Sequence, residues 1–183
     1  MADPGDEQVE VVDEDGRVVG LASRAAVRAG NLRHRSVGVV VVTGAGELVA
    51  HRRADWKDVW PGRWDVCFGG VVGPGETWVD AARRELGEEA GVTVAPAALR
   101  LLAEGAFTDA AVSAVSRIYL VTHDGPFTPA DGEVAELVPV PLPQVARWLA
   151  GRSLCPDSAA VVVPLVLALA RGDAPGVGGG GGG

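Results

Sequence analysis

The chain has 183 residues, two cysteines and a formal net charge of −8. This length favours one domain with or without appendages, and the negative charge argues against a general grip on nucleic acid while allowing a local basic pocket. No apolar run reaches about 18 residues, so no membrane span is expected, and the acidic start "MADPGDEQVE" lacks the order of a signal peptide. Cys67 and Cys155 are too few for a disulfide framework, and we interpret them as buried or incidental thiols of a cytoplasmic protein.

Short strands dominate the predicted N-terminal half. We expect residues 1–7 to be disordered and residues 8–23 to form two strands around an Asp-Gly turn. "RAAVRAG" at 24–30 predicts a short helix. Residues 36–54 predict a glycine-turn hairpin, whose first strand is continuously apolar, as is typical of a central strand covered on both faces. "WDVCFGG" at 64–70 predicts one further short strand.

A helix with clear end signals follows. Thr77 is its predicted N-cap, with Asp80 three residues later as an acidic partner. Gly91 lies where a left-handed C-terminal cap belongs. Gly87 lies inside the helix, where glycine costs about 1 kcal/mol relative to alanine. This cost predicts that a side chain is unwelcome at that position.

The remaining chain predicts three strands and two closing helices. The strands are expected at residues 99–109, 113–123 and 133–140, and the helices at 142–150 and 158–171. The order of all these elements predicts a mixed sheet between helices, an α/β sandwich.

The helix after the glycines carries three carboxylates on one face. Glu85, Glu88 and Glu89 are neighbours because residues three and four apart on a helix lie side by side. Like charges at that spacing repel each other, so a partner should offset the repulsion unless the face is solvated. A glycine-rich turn, Gly69 to Gly75, precedes the helix, and Glu76 lies between the turn and the predicted start of the helix. Such clustered carboxylates can collect a hard divalent cation, and a diphosphate would supply further oxygen ligands.

The complete pattern resembles a Nudix box. Its fixed positions are Gly70, Glu76, Arg84-Glu85-Leu86, Glu88-Glu89 and Gly91-Val92. The resemblance implies a Nudix α/β/α sandwich with a mixed central sheet, which we place at residues 8–172, followed by a flexible glycine-rich tail at 173–183. It also implies hydrolysis of a diphosphate linkage in a nucleotide or related small compound, with Mg²⁺ or Mn²⁺ as the cofactor.

The resemblance assigns metal-binding roles to four residues. Glu85, Glu88 and Glu89 match the metal-binding glutamates of the family. Gly70 matches the loop glycine whose carbonyl can add a ligand. The number of metal ions stays open.

It also assigns two supporting residues and leaves the catalytic base open. Glu76 and Arg84 match an ion pair that orients the loop and the helix. The base in this family can be a box glutamate or a carboxylate on a later loop. Glu133 is our first candidate for that later carboxylate, and Glu136 is the second.

A basic and aromatic segment at residues 51–66, "HRRADWKDVWPGRWDV", extends the resemblance. Together with residues 11–27 and 34–42 it is similar to the Nudix branch that contains isopentenyl-diphosphate isomerase. In that branch an arginine and a lysine before the Pro-Gly bind the substrate diphosphate, and Arg53 and Lys57 match those positions. Fixed cations suit that role, and the alternative is an ordinary basic loop.

The isomerase itself needs a Cys-Gly-His sequence where this chain has Gly69-Gly70-Val71. Cys67 lies two places too early, although His34 aligns with one metal histidine of the isomerase. The isomerase also lacks the full hydrolase box. We therefore expect hydrolase chemistry on an isomerase-like scaffold. An isomerase-type enzyme and a non-catalytic ligand-sensing domain remain as alternatives.

Three tryptophans, at positions 56, 60 and 64, cluster in the basic segment. Core packing is favoured for them because tryptophan is mostly buried, and stacking on a nucleotide base is the alternative. The expected partner is a small-molecule diphosphate, with no membrane and no general nucleic-acid binding. The substrate and the oligomeric state, a homodimer included, stay open.

Overall fold

The computed structural model describes residues 4–130 and 132–173. Within them the strands are β1 Gln8–Val12, β2 Val18–Ser23, β3 His34–Val42, β4 Glu47–Arg53, β5 Trp64–Asp65, β6 Phe68–Val71, β7 Arg100–Thr108, β8 Ser113–Thr122 and β9 Val134–Pro141. The α-helices are α1 Arg24–Gly30, α2 Trp78–Ala90, α3 Val145–Leu149 and α4 Val163–Ala170.

The ends of the chain differ from the expectations only in detail. A 3₁₀ turn at Pro4–Asp6 lies in the stretch that we expected to be disordered. A π-helical turn at Ser158–Val162 leads into α4, so the last predicted helix begins with wider backbone spacing. Residues 1–3 and the predicted glycine-rich tail from residue 174 onward lie outside the described residues.

The strand β3 is the centre of the sheet. It pairs with β8 in parallel along its whole length and with β6 antiparallel over Ser36–Val39. Its hairpin partner β4 pairs with it only at Val42 and Leu48. The segment from residue 37 to 41 is buried, so the prediction of a central strand covered on both faces is confirmed.

The segment 64–70 forms two strands, so the prediction of one strand is wrong. β5 pairs with β4, whereas β6 pairs with β3. The physical reason is that β4 diverges from β3 after their turn, and the segment crosses the gap between them. Asp65 stabilises the break, because its Oδ1 accepts the N–H groups of Val66 and Cys67 at 2.7 and 3.2 Å.

Helices cover both faces of the mixed sheet. The α2 face buries Val39, Phe68 and Leu86, and the opposite face buries Val40 and Leu48 together with α3 and α4. Successive side chains of β3 thus pack into opposite cores, because side chains alternate between the two faces of a strand. The expected α/β/α sandwich with a mixed central sheet is confirmed.

Among the described residues, no helix has the length and apolar character needed to cross a membrane.

The end signals of α2 are also confirmed. The Thr77 hydroxyl accepts the N–H of Asp80 at 3.1 Å, and Gly91 caps the other end with a φ of 69°. The expectation for Gly87 is wrong, however. A Cβ at Gly87 would meet only the Val92 carbonyl oxygen, at an ordinary 3.9 Å.

We therefore expect Gly87→Ala to raise the free energy of unfolding by about 0.5–1 kcal/mol, because alanine loses less backbone entropy in a helix. Urea denaturation measures this change. Gly69→Ala is the matched control, since a Cβ there would lie 2.0 Å from the Val37 carbonyl oxygen, and it should strongly destabilise the β3–β6 pair. A Gly87→Ala protein less stable than the wild type would contradict the prediction.

Candidate active site

A single cavity of about 760 Å³ brings together most residues singled out in the sequence. It lies along β6, the loop before α2 and the acidic face of α2. The predicted site residues that line it are Arg53, Lys57, Gly70, Glu76, Arg84, Glu85, Glu88, Glu89 and Glu133. Glu136, the second candidate for the base, is not part of the lining. Its side chain is 52% exposed and faces Arg52 at 3.8 Å.

The Arg84 guanidinium lies between the loop and the acidic helix face. Its Nε and Nη2 each donate to Glu76 at 3.0 Å. Its Nη1 donates to Glu85 at 2.7 Å and to Glu88 at 3.2 Å. Its Nη2 also donates to the Val71 carbonyl at 2.9 Å. One planar cation thus offsets the repulsion on α2 and joins that helix to β6.

Two consecutive glycines in β6 leave room for the carboxylates. Glu89 is buried and accepts the N–H of Gly69 at 2.8 Å. A Cβ at Gly70 would lie 2.5 Å from the Oε1 of Glu85. Any side chain at position 70 would therefore displace the Glu85 carboxylate, and glycine is required for this close approach.

Burial sets the charge state of these carboxyl groups. It raises the pKa of Glu85 to about 7 and raises the pKa of Glu89 as well, with Glu85 adding to the shift through like-charge repulsion. Hydrogen bonds from Arg84 instead lower the pKa of Glu76. The site therefore holds a buried acidic pair, Glu85 and Glu89, beside a fully ionised structural pair, Glu76 and Arg84.

The donor chemistry of this acidic pair fits a hard divalent cation. Carboxylate and carbonyl oxygens are the ligands that Mg²⁺ and Mn²⁺ prefer, and a cation would relieve the repulsion between Glu85 and Glu89. The carboxylates of α2 do not converge on one point in this structure. In the described part of the chain, no group of three His, Cys, Asp or Glu side chains has the spacing of a metal site. Arg84 holds Glu85 and Glu88, so binding requires these side chains to rotate.

The basic residues of the cavity have different surroundings. The buried Nε of Arg53 has no hydrogen-bond partner among the described residues. Lys57 is almost buried and forms an ion pair with Glu133. The predicted diphosphate-binding lysine and the predicted base therefore neutralise each other in the absence of substrate.

Two aspartates of the cavity were missed in the sequence. Asp65 is buried, and Asp157 caps the turn before α4 by accepting the Ser158 N–H at 2.7 Å. Burial, with a contribution from Asp65, raises the pKa of Asp157 to about 7. The signal available for Asp157 was its N-cap position in "CPDS". Nothing in the pattern indicated that the two aspartates would meet in space.

The histidine, the cysteine and the tryptophans that were singled out in the sequence differ in their burial and contacts. His34 lines the cavity, and burial lowers its pKa. The Cys67 thiol lies 3.6 Å from Asp65 and lines the cavity, and burial raises its pKa, which disfavours the reactive thiolate. Trp64 packs edge-on against Trp148 at 5.1 Å, as core packing predicts. Trp56 is 63% exposed in the connection between β4 and β5, so core packing is wrong there.

Comparisons with known proteins agree with this fold. The model of the NUDIX domain family matches residues 32–154. The uncharacterized Nudix hydrolase orf19 of Rhodococcus erythropolis is 38% identical over 141 residues, covering 73% of this chain and 76% of that protein. The structure of DR0079 from Deinococcus radiodurans is 28% identical with a TM-score of 0.68, covering 90% of this chain and 98% of that one. The fold is also shared by a bifunctional NMN adenylyltransferase/ADP ribose pyrophosphatase from Francisella tularensis, whose structure is complexed with AMP and a Mn ion. That structure is 20% identical with a TM-score of 0.56, and the match covers 72% of this chain and 40% of that one.

We expect the Glu85 carboxyl to contribute more stability to the metal-free protein as the pH falls from about 8 to about 5.5. The pKa of Glu85 is about 7 in the folded protein against an ordinary 4.5, so the folded state binds a proton that the unfolded chain has released. Ionising Glu85 in its buried position destabilises the folded state. This destabilisation is absent below the unfolded pKa of 4.5 and complete above the folded pKa of about 7. We expect a difference of about 1–3 kcal/mol between these pH values.

Chemical denaturation in EDTA at both pH values measures this effect. Glu85→Gln should lose the Glu85 contribution to the pH dependence. Glu89 and Asp157 shift in the same direction, whereas His34 and His51, whose pKa values burial lowers, act in the opposite direction in both proteins. Superimposable pH profiles for the wild type and Glu85→Gln would show that the Glu85 carboxyl has an ordinary pKa.

Proposed function

The chain belongs to the NUDIX domain family, and from that membership we propose that it is a metal-dependent hydrolase of a diphosphate linkage in a nucleotide or related small compound. One observation carries this proposal. The buried acidic pair Glu85 and Glu89 shares a cavity with Arg53 and Lys57. Carboxylates that can hold a cation thereby lie beside fixed cations that attract phosphate oxygens.

We assign the metal to the acidic face of α2. Glu85, Glu88 and Glu89, with the Gly70 carbonyl, would hold Mg²⁺ or Mn²⁺. When bound, such an ion neutralises phosphate charge and lowers the pKa of water. The family and the hard oxygen donors support this assignment. The Mn ion in the Francisella tularensis structure belongs to a protein that shares only the fold with this chain.

We assign the substrate diphosphate to Arg53 and Lys57. The buried Nε–H of the Arg53 guanidinium has no hydrogen-bond partner among the described residues, so this cation keeps a free donor, which favours an anionic ligand. Lys57 can bind a phosphate oxygen only by giving up part of its ion pair with Glu133. Binding of the diphosphate therefore loosens the hold of Lys57 on the Glu133 carboxylate.

That coupling makes Glu133 the preferred general base. Glu133 accepts a proton from the attacking water, the water oxygen bonds to phosphorus, and the bridging P–O bond breaks. The leaving phosphate oxygen takes the electron pair of that bond. The basic side chains stabilise the negative charge that develops on the phosphate oxygens.

An isomerase reaction is not favoured. The likeness to the isopentenyl-diphosphate isomerase branch has no support in the family match or in the relatives described above. Gly69 occupies the position of the isomerase cysteine, and a Cβ there would lie 2.0 Å from the Val37 carbonyl oxygen. Position 69 thus has no room for a thiol. A ligand-sensing domain is also not favoured, since the carboxylates are intact.

A panel of nucleoside diphosphate compounds tests the proposed function. With Mg²⁺ we expect at least one, such as ADP-ribose, to yield two phosphorylated products that chromatography separates. EDTA should abolish the reaction, because the buried carboxylates alone leave the phosphate charge unneutralised. Failure to cleave any member of the panel with Mg²⁺ or Mn²⁺ would refute the proposal.

Glu133→Gln and Glu136→Gln form a matched pair that tests the base. We expect Glu133→Gln to lower kcat by about 10²–10³, as the loss of a general base does. Glu136→Gln should stay within about twofold of the wild type, because exposed surface substitutions have small effects and Glu136 lies outside the cavity lining. Steady-state kinetics on the best substrate measures both. Full activity in Glu133→Gln would show that Glu133 is not the general base and would favour a glutamate of the Nudix box in that role.

A further inference from the structure

The cavity is larger than a diphosphate requires. Its volume of about 760 Å³ lies in the range of sites that enclose whole drug-sized ligands. Beyond the charged residues, its lining includes an apolar set that the hydrolysis of the diphosphate does not use. Its members include Val27, Val59, Trp60 and Val112. These residues are therefore available to a part of the substrate other than the diphosphate.

Trp60 has an unusual backbone conformation. Its φ is 49°, in the left-handed region that bulky residues rarely adopt, and the following Pro61 restricts its backbone further. Asn31, the other non-glycine residue with positive φ in the described part of the chain, is the left-handed C-terminal cap of α1, so Trp60 is the unusual case. Backbone strain of this kind persists where the surrounding structure enforces it, and it collects at ligand sites.

Contacts on both sides hold the Trp60 segment in place. Phe107 packs against the Trp60 ring with centroids 6.2 Å apart and an interplanar angle of 76°. Asp58, two residues earlier, forms an ion pair with Arg28 of α1. The Trp60 carbonyl accepts the N–H of Arg63 at 3.4 Å. The indole ring is therefore positioned before a ligand arrives, which lowers the entropy cost of stacking.

The other two tryptophans of the segment are not available to a ligand in the cavity. Trp56 is 63% exposed and is not part of the lining. Trp64 packs against Trp148, and the Arg152 guanidinium lies 5.5 Å from its ring centre. Of the three, only Trp60 lines the cavity.

We propose that Trp60 is a specificity-determining residue that stacks on a planar ring of the substrate. The chain then prefers diphosphates that carry an aromatic heterocycle over those that carry only a sugar or an aliphatic chain. Stacking on a fixed aromatic side chain is tolerant of base identity, so Trp60 selects for the presence of a ring rather than for one base. This inference rests on the proposed function and names the class of its substrate.

Calorimetric binding of AMP and of ribose 5-phosphate tests this inference without requiring catalysis. The two probes share the phosphate and the ribose and differ by the heterocycle. We expect the wild type to bind AMP at least about tenfold more tightly, in line with the stacking of one base on one aromatic ring. Trp60→Ala should bring the two affinities within about twofold, whereas Trp60→Phe should keep most of the difference.

Trp56→Ala is the matched control, because it removes the same side chain from the same segment outside the cavity, and it should retain the preference for AMP. Trp60→Leu repeats the test with a larger apolar side chain if the alanine variant does not fold. The inference is overturned if the wild type shows no preference for AMP, or if Trp60→Ala and Trp60→Leu keep it. Absence of hydrolysis together with a preference that depends on Trp60 would overturn the proposed reaction alone. Hydrolysis with a preference independent of Trp60 would overturn this inference alone.

Discussion

The guanidinium of Arg84 is the interaction on which the organisation of the site depends. Glu85, Glu88 and Glu89 share one helix face, and their repulsion would disfavour that arrangement without a nearby cation. Arg84 bonds to Glu76, Glu85 and Glu88 and to the Val71 carbonyl. A single rigid cation thereby ties the loop, β6 and α2 together. It also fixes where the acidic face lies relative to the glycines of β6.

The sheet supplies the space that this arrangement needs. Since β4 leaves β3 after one residue pair, β6 takes its place beside β3 and brings Gly69 and Gly70 under α2. The absence of side chains there lets Glu89 bond to the strand backbone and lets Glu85 approach within van der Waals distance. Burial then raises the pKa of both carboxyl groups, and a bound cation would relieve the repulsion between their ionised forms. The strand arrangement that places the two glycines under α2 therefore also sets the burial and the charge state of the carboxylates.

Sequence patterns predicted what depends on local chemistry. The caps at Thr77 and Gly91 and the central apolar strand follow from neighbours along the chain, and the sandwich follows from the order of elements. Features set by distant contacts were not predictable. Gly87 has an open environment that helix propensity cannot reveal, Lys57 meets Glu133 across 76 positions, and the positive φ of Trp60 depends on its contacts with the rest of the fold.

Titration of Mn²⁺ into the protein, with the free ion followed by its electron paramagnetic resonance signal, tests the central claim most directly. That claim is that the buried carboxylates of α2 form the metal site. The wild type should withdraw Mn²⁺ from solution, and a Glu85→Gln/Glu89→Gln variant should bind it at least about tenfold more weakly, because two charged oxygen ligands are lost. Glu136→Gln should match the wild type. Equal Mn²⁺ affinity in the wild type and the double variant would contradict the account.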